Sequence, residues 1–137
     1  MRFISHRGNL NGPNTQLEND PKTILNVLNR GLDCEVDVWY LNGDFLLGHD
    51  EPTHKIDSSF LNGGGLWLHC KNLAALHTVP KHFNFFWHQE DDFALTSHGY
   101  IWTYPGKELT DNSVIVDTNK NWKIKGYQCY GVCSDYL

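Results

Sequence analysis

Apolar and polar positions fall into short runs along most of the chain, and few of the runs have a helical period. Arg2 to Ser5, Asp33 to Tyr40, Phe45 to Leu47, Leu66 to Cys70, Asn84 to His88, Phe93 to Thr96, Tyr100 to Tyr104, Val114 to Asp117 and Cys129 to Asp135 read as strands. Asn42-Gly43 joins two of them and signals a hairpin, because both residues tolerate the left-handed backbone of a two-residue turn. One segment reads as a helix. Ile24, Leu25, Val27 and Leu28 form its stripe, Asp20 can cap it, Pro21 fits its first position and Gly31 can end it. Asn9 to Asn19, just before it, is a loop rich in Asn, Gly and Pro. With the hairpin strand Phe45 to Leu47 set aside, eight strands accompany this one helix.

The 137 residues read as a single domain, 1–137, with no repeat or linker dividing them. A 40% share of hydrophobic residues is enough for a core. The net charge of −5, and a densest basic stretch of only three lysines (Lys120 to Lys125), argue against a nucleic-acid partner. No apolar run approaches the roughly 20 residues of a membrane span. The first apolar pair, Phe3-Ile4, meets His6-Arg7-Gly8 at once and leaves no room for a signal peptide. Four cysteines are too few for a disulfide scaffold. Cys34 and Cys70 read as small buried residues, and Cys129 with Cys133 lacks the further ligands of a zinc site. The expected compartment is the cytoplasm, with reduced thiols.

Polar residues interrupt the strands where a core is expected. Glu35 and Asp37 lie two apart on one strand and share a face, with Cys34, Val36 and Val38 on the other. Two buried carboxylates side by side need a cation or a proton between them. A hard divalent ion, Mg²⁺ or Ca²⁺, is the simplest answer; a solvated edge strand is the plain alternative. Two histidines stand at strand ends, in His6-Arg7-Gly8 and in Gly48-His49-Asp50. Histidine moves protons near neutral pH, and arginine grips a phosphate or carboxylate with two hydrogen bonds. His69 and Lys71 share one face of their strand; a lysine there needs an anion, which a phosphate or one of the two acids would supply.

In these residues the chain resembles the glycerophosphodiester phosphodiesterases. The matching pieces are Ile4-Ser5-His6-Arg7-Gly8, Glu18-Asn19, Glu35-Val36-Asp37 and His49-Asp50-Glu51-Pro52, dense over residues 3 to 52. Thinner matches follow in Lys71-Asn72, Trp102-Thr103 and Gly131-Val132-Cys133-Ser134-Asp135. The resemblance implies a metal-dependent phosphodiesterase of lipid metabolism, acting on a small glycerophosphodiester-like substrate. His6 and His49 would be the acid/base pair. Arg7 and Lys71 would hold the phosphate, and Glu18 would support that substrate-binding set from the first loop. Glu35 and Asp37 would bind the metal. In the family's reaction an adjacent substrate hydroxyl attacks phosphorus, and the cyclic phosphate is then hydrolysed. Two alternatives stand beside it: a lyase that stops at the cyclic phosphate, and a non-catalytic phosphate-binding or regulatory module.

The chain departs from the family at His69-Cys70-Lys71, where the pattern is Glu-x-Lys and the glutamate is a third metal ligand. His69 can ligate as neutral imidazole, which favours Mn²⁺ or Zn²⁺, or its presence leaves the site weak. Glu90, Asp91 and Asp92 either compensate or form a solvated loop. The resemblance also implies an α/β fold, a (β/α)₈ TIM-type barrel. Such barrels take about 250 residues. This chain allows roughly 17 residues per strand unit, against about 30 for a full strand-plus-helix unit. The expected fold is thus a reduced barrel with most outer helices shortened or missing. Its bare flank, with apolar stretches such as Phe83, Phe85, Phe86 and Trp87, predicts a homo-oligomer, a two-fold dimer being the first choice.

Overall fold

The computed structural model describes residues 1–137. Its elements in chain order are β1 (Arg2–His6), α1 (Pro21–Asn29), β2 (Asp33–Leu41), β3 (Asp44–Leu47), β4 (His54–Ile56), β5 (Leu66–Cys70), α2 (Leu73–Thr78), β6 (Phe85–Phe86), β7 (Phe93–Leu95), β8 (Ile101–Thr103), β9 (Ser113–Val116) and β10 (Gly131–Ser134). Local chemistry explains the best-formed pieces. Asp20 accepts a hydrogen bond from Thr23 N at 2.9 Å and caps α1, with Pro21 at its first position. Asn42 and Gly43 both hold positive φ, 52° and 84°, which turns β2 into β3. α2 has its own cap, the Asn72 side chain accepting from Ala75 N at 2.9 Å. The sequence reading omitted α2 and the short edge strand β4.

All ten strands belong to one mixed sheet, ordered β4-β3-β2-β1-β10-β9-β8-β7, with β5 on the other side of β2 and β6 beyond it. β1 lies parallel between β2 and β10. The sheet is strongly curled. Trp67 on β5 and Trp102 on β8 are separated in strand order by β2, β1, β10 and β9, yet their ring centroids are 5.9 Å apart. Phe86 on β6 meets Trp102 at 4.6 Å. These rings, with Ile4, Val114 and Cys133, fill the concave side. On the convex side Ile24 and Val27 of α1 and Ala75 of α2 pack on Cys34, Val36, Val38, Leu66, Leu68 and Cys70. Strand alternation thus sorts β2 cleanly: apolar residues point outward, and Glu35 and Asp37 point inward.

This is a half-barrel with two α-helices, and the expected (β/α)₈ TIM-type barrel is wrong. A (β/α)₈ barrel needs eight parallel strands alternating with eight helices. Here β3, β4 and β7 pair antiparallel, and β6 pairs only with β5. The link from β8 to β9 is a loop, and the one from β9 to β10 carries only a 3₁₀ turn, Trp122–Lys125. The segment around Phe86 is also less buried than expected, since Trp87 is 38% exposed. No helix is long and apolar enough to cross a membrane.

One buried charge anchors the end of β9. Asp117 accepts from Lys125 Nζ at 2.6 Å, from Asn119 N at 3.0 Å and Asn119 Nδ2 at 2.8 Å, and from the Tyr127 hydroxyl. Burial alone would raise its pKa, but hydrogen bonds from Lys125, Tyr127 and Asn119 bring it down from 3.8 to about 2. A carboxylate depressed in the folded state stabilises fully above its unfolded pKa, and that contribution is lost as pH falls toward 2. Asp117→Asn is therefore expected to be less stable than the parent at neutral pH, with the gap closing as acid protonates the parent. Denaturant midpoints across the acid range check this, and a gap that stays constant would sink it.

Candidate active site and metal centre

The strand ends bring the polar residues together. β1 ends at His6 and then bends sharply, because Arg7 and Gly8 both hold positive φ, 58° and 94°. Left-handed backbone is uncommon for arginine. Two hydrogen bonds hold it there: Arg7 N donates to Glu35 O at 3.0 Å, and Arg7 O accepts from Asn19 N at 2.9 Å. The hairpin brings in His49 after Gly48, where a Cβ would lie 1.9 Å from Glu51 O, so only glycine fits the turn. Trp39 Nε1 donates to Gly48 O at 2.7 Å and fixes the same turn.

A cleft of about 370 Å³ opens here, lined by His6, Arg7, Glu35, His49, His69 and Lys71, with Trp102 and Thr103 across from them. Every residue that the sequence reading assigned to catalysis, phosphate binding or metal lies on this cleft except Glu18 and Asp37. Glu18 sits behind Arg7 and pairs with its Nη1 at 3.4 Å. Asp37 is fully buried beneath the cleft. Lys71 faces the cleft and pairs with neither acid, so the ion-pair alternative for it does not hold. Glu90, Asp91 and Asp92 lie on an exposed loop and add nothing to the acid cluster. A second cleft of about 330 Å³, at the opposite ends of the strands around Trp67, Tyr100 and Tyr130, holds no comparable cluster.

Glu35, Asp37 and His69 offer ligand atoms within 4.8 Å of one another and could hold a metal ion. His69 Nδ1 stands 3.2 Å from Asp37 Oδ1 and 3.7 Å from Glu35 Oε1. Glu35 Oε2 and Asp37 Oδ1 are buried with no hydrogen-bond partner. Unpartnered buried carboxylate oxygens are rare and costly, and a cation between them satisfies both. The residues present therefore fit a divalent ion. Burial, and then the Asp37 charge, push the Glu35 pKa well above the ordinary carboxylate range. Burial acts the same way on Asp37, but the neighbouring His49 and His69 imidazoles and the Arg7 charge overcome it and hold that pKa well below the ordinary carboxylate range. A single proton or a cation is what this pair demands.

Three further residues complete the site, and the sequence reading gave none of them a role. Asp135, just past β10, accepts from His6 Nδ1 at 2.8 Å. A carboxylate only accepts, so His6 carries its proton on Nδ1 and presents Nε2 as a lone pair, 4.0 Å from Glu35 Oε2. Hydrogen bonds from His6 and Asn9 hold the Asp135 pKa low against the effect of burial. Asn9 Nδ2 ties Asp135 at 2.8 Å to Glu18 at 2.9 Å. Asn19 clamps Asp37 twice, accepting from its backbone N–H and donating to Oδ2, both at 2.9 Å. That clamp leaves Oδ1 turned toward His69. Arg7 reaches Asp37 Oδ2 through Nε at 3.5 Å and donates from Nη2 to His49 Nε2 at 3.2 Å.

No family model, no curated protein and no solved structure matches this chain.

Proposed function

We propose that the chain is a metal-dependent phosphodiesterase for a small glycerophosphodiester-like substrate. One observation carries the reading. A histidine whose tautomer is set by Asp135 shares a cleft with Arg7 and Lys71, over a pair of carboxylates that with His69 could hold a metal. The resemblance of His6-Arg7-Gly8, Glu35-Val36-Asp37 and His49-Asp50 to the glycerophosphodiester phosphodiesterases supports the same class.

The chain's own residues divide the work. Arg7 and Lys71 hold the phosphate at the mouth, and Glu18 and Asn9 hold Arg7 and Asp135 in place. His6 Nε2 takes the proton of the attacking substrate hydroxyl as the new O–P bond forms. His49, whose Nε2 is freed and protonated once Arg7 Nη2 turns from it to the phosphate, returns a proton to the leaving oxygen as the other P–O bond breaks. Water then opens the cyclic phosphate with the two proton transfers reversed. Glu35, Asp37 and His69 would hold a divalent ion, which when bound would supply positive charge for the phosphoryl oxygens.

Phosphorus NMR on glycerophosphodiesters, with and without added divalent ion, tests the reading. A phosphomonoester product is the expected result. Accumulation of the cyclic phosphate instead would make the chain a lyase. Binding without turnover would make it a phosphate-binding module and overturn the enzyme reading.

A further inference from the structure

The identity of the ion is written into the surroundings of His69. Its Nε2 lies 2.8 Å from the carbonyl oxygen of His88. A carbonyl only accepts, so that nitrogen carries the proton. In the neutral ring Nδ1 is then a lone pair, 3.2 Å from Asp37 Oδ1 and 3.7 Å from Glu35 Oε1. The ring cannot turn away. It stacks on Phe86 at 5.2 Å with its plane within 5° of parallel, and its side chain is only 15% exposed. A ring nitrogen, the unpartnered Asp37 Oδ1 and Glu35 Oε1 thus converge on one point at the floor of the cleft. This is how proteins fix a histidine ligand: the outer nitrogen is bonded to a backbone carbonyl, which sets both tautomer and ring plane.

We propose that this site selects a borderline transition-metal ion, of the Mn²⁺-to-Zn²⁺ series, over Mg²⁺ and Ca²⁺, because His69 supplies a fixed nitrogen ligand. Hard ions prefer oxygen throughout and gain little from an imidazole, whereas the first-row transition metals bind imidazole well. Two carboxylates already balance a divalent charge, so the histidine adds affinity without excess negative charge. The inference rests on the cation-site reading of Glu35, Asp37 and His69, and it stands apart from the phosphodiester chemistry.

The test titrates the metal-free full chain with Co²⁺ alone and with Mg²⁺ alone in a calorimeter, and follows bound Co²⁺ by its visible absorption. The parent is expected to bind Co²⁺ the more tightly. His69→Glu, which restores an oxygen ligand, should shrink that ratio while every other histidine stays in place. His69→Gln serves if a third buried carboxylate prevents folding, and should lose at least about 10-fold in Co²⁺ affinity, the lower end of what disturbing such a ligand's support costs. Equal affinity of the parent for the two ions overturns the proposal. So does a ratio unchanged in the glutamate variant, or Co²⁺ affinity unchanged in the glutamine one. A parent that prefers Co²⁺ but cleaves no phosphodiester would overturn the enzyme reading alone.

Discussion

Replacing His6 by alanine is expected to slow phosphodiester cleavage by about 10²- to 10⁴-fold, the usual worth of a positioned general base. Folding should be little affected, because the His6 side chain is partly open to the cleft rather than part of the packed core. Asp135→Ala should also slow the reaction, by freeing the ring to adopt the other tautomer. Since Asp135 acts on the reaction through His6, the double variant should be no slower than His6→Ala alone. Single-turnover rates of the three variants decide this. Effects that multiply would mean that Asp135 works elsewhere, and activity surviving in His6→Ala would make the histidine structural.

The second large effect has an unusual sign. Glu35→Gln should stabilise the metal-free chain while abolishing the stabilisation that a divalent ion brings. Glu35 is 2% exposed, its Oε2 has no partner, and its charge lies beside that of Asp37. Leaving a charged group unsatisfied in the interior costs about 1–3 kcal/mol or more, which the neutral amide avoids in part. The pH dependence follows the same logic. A carboxyl whose folded-state pKa is raised binds its proton more tightly when folded, so metal-free stability falls as pH rises above about 4.5. Bound metal should flatten that slope. Melting curves with chelator and with added ion, on both proteins, check the two signs together. A glutamine variant that melts lower than the parent in chelator would count against the strained-pair account.

The acid pair of this site was legible in residue spacing alone. Strand alternation puts Glu35 and Asp37 on one face and Cys34, Val36 and Val38 on the other, and the structure divides them in that way. The cap, first proline and stripe of α1 are local signals, and the helix runs over Pro21–Asn29; Leu25, counted in the stripe, is exposed at 48%. Legibility fails where the partner is distant in sequence. Asp135 meets His6 across 129 positions, and nothing near either residue announces the other. Asn9 looked like a loop asparagine, and Asn19 stood out only as half of the Glu18-Asn19 match, with no role; only the fold shows what their amides hold. α2 was there to be found, since Asn72 before Leu73-Ala74-Ala75-Leu76 is a cap ahead of good helix formers. The barrel expectation failed for a different reason. A count of strands fixes neither the direction of each strand nor whether the links between them are helical, and both departed from the pattern.

The central place of β1 has a consequence for how the molecule is made. β1 can find β2 early in folding, but its other edge must wait for β10, 129 positions further along. Pairings this distant close slowly, because the long intervening loop must first be ordered. Until then β1 exposes an unpaired edge, and His6 lacks the carboxylate that sets its proton. A chain that has not yet paired β10 should therefore be open to aggregation or chaperone capture, with the His6 ring free to adopt either tautomer. Any truncation that removes β10 and the Asp135 that follows it would leave one edge of β1 bare and the His6 ring without its anchor.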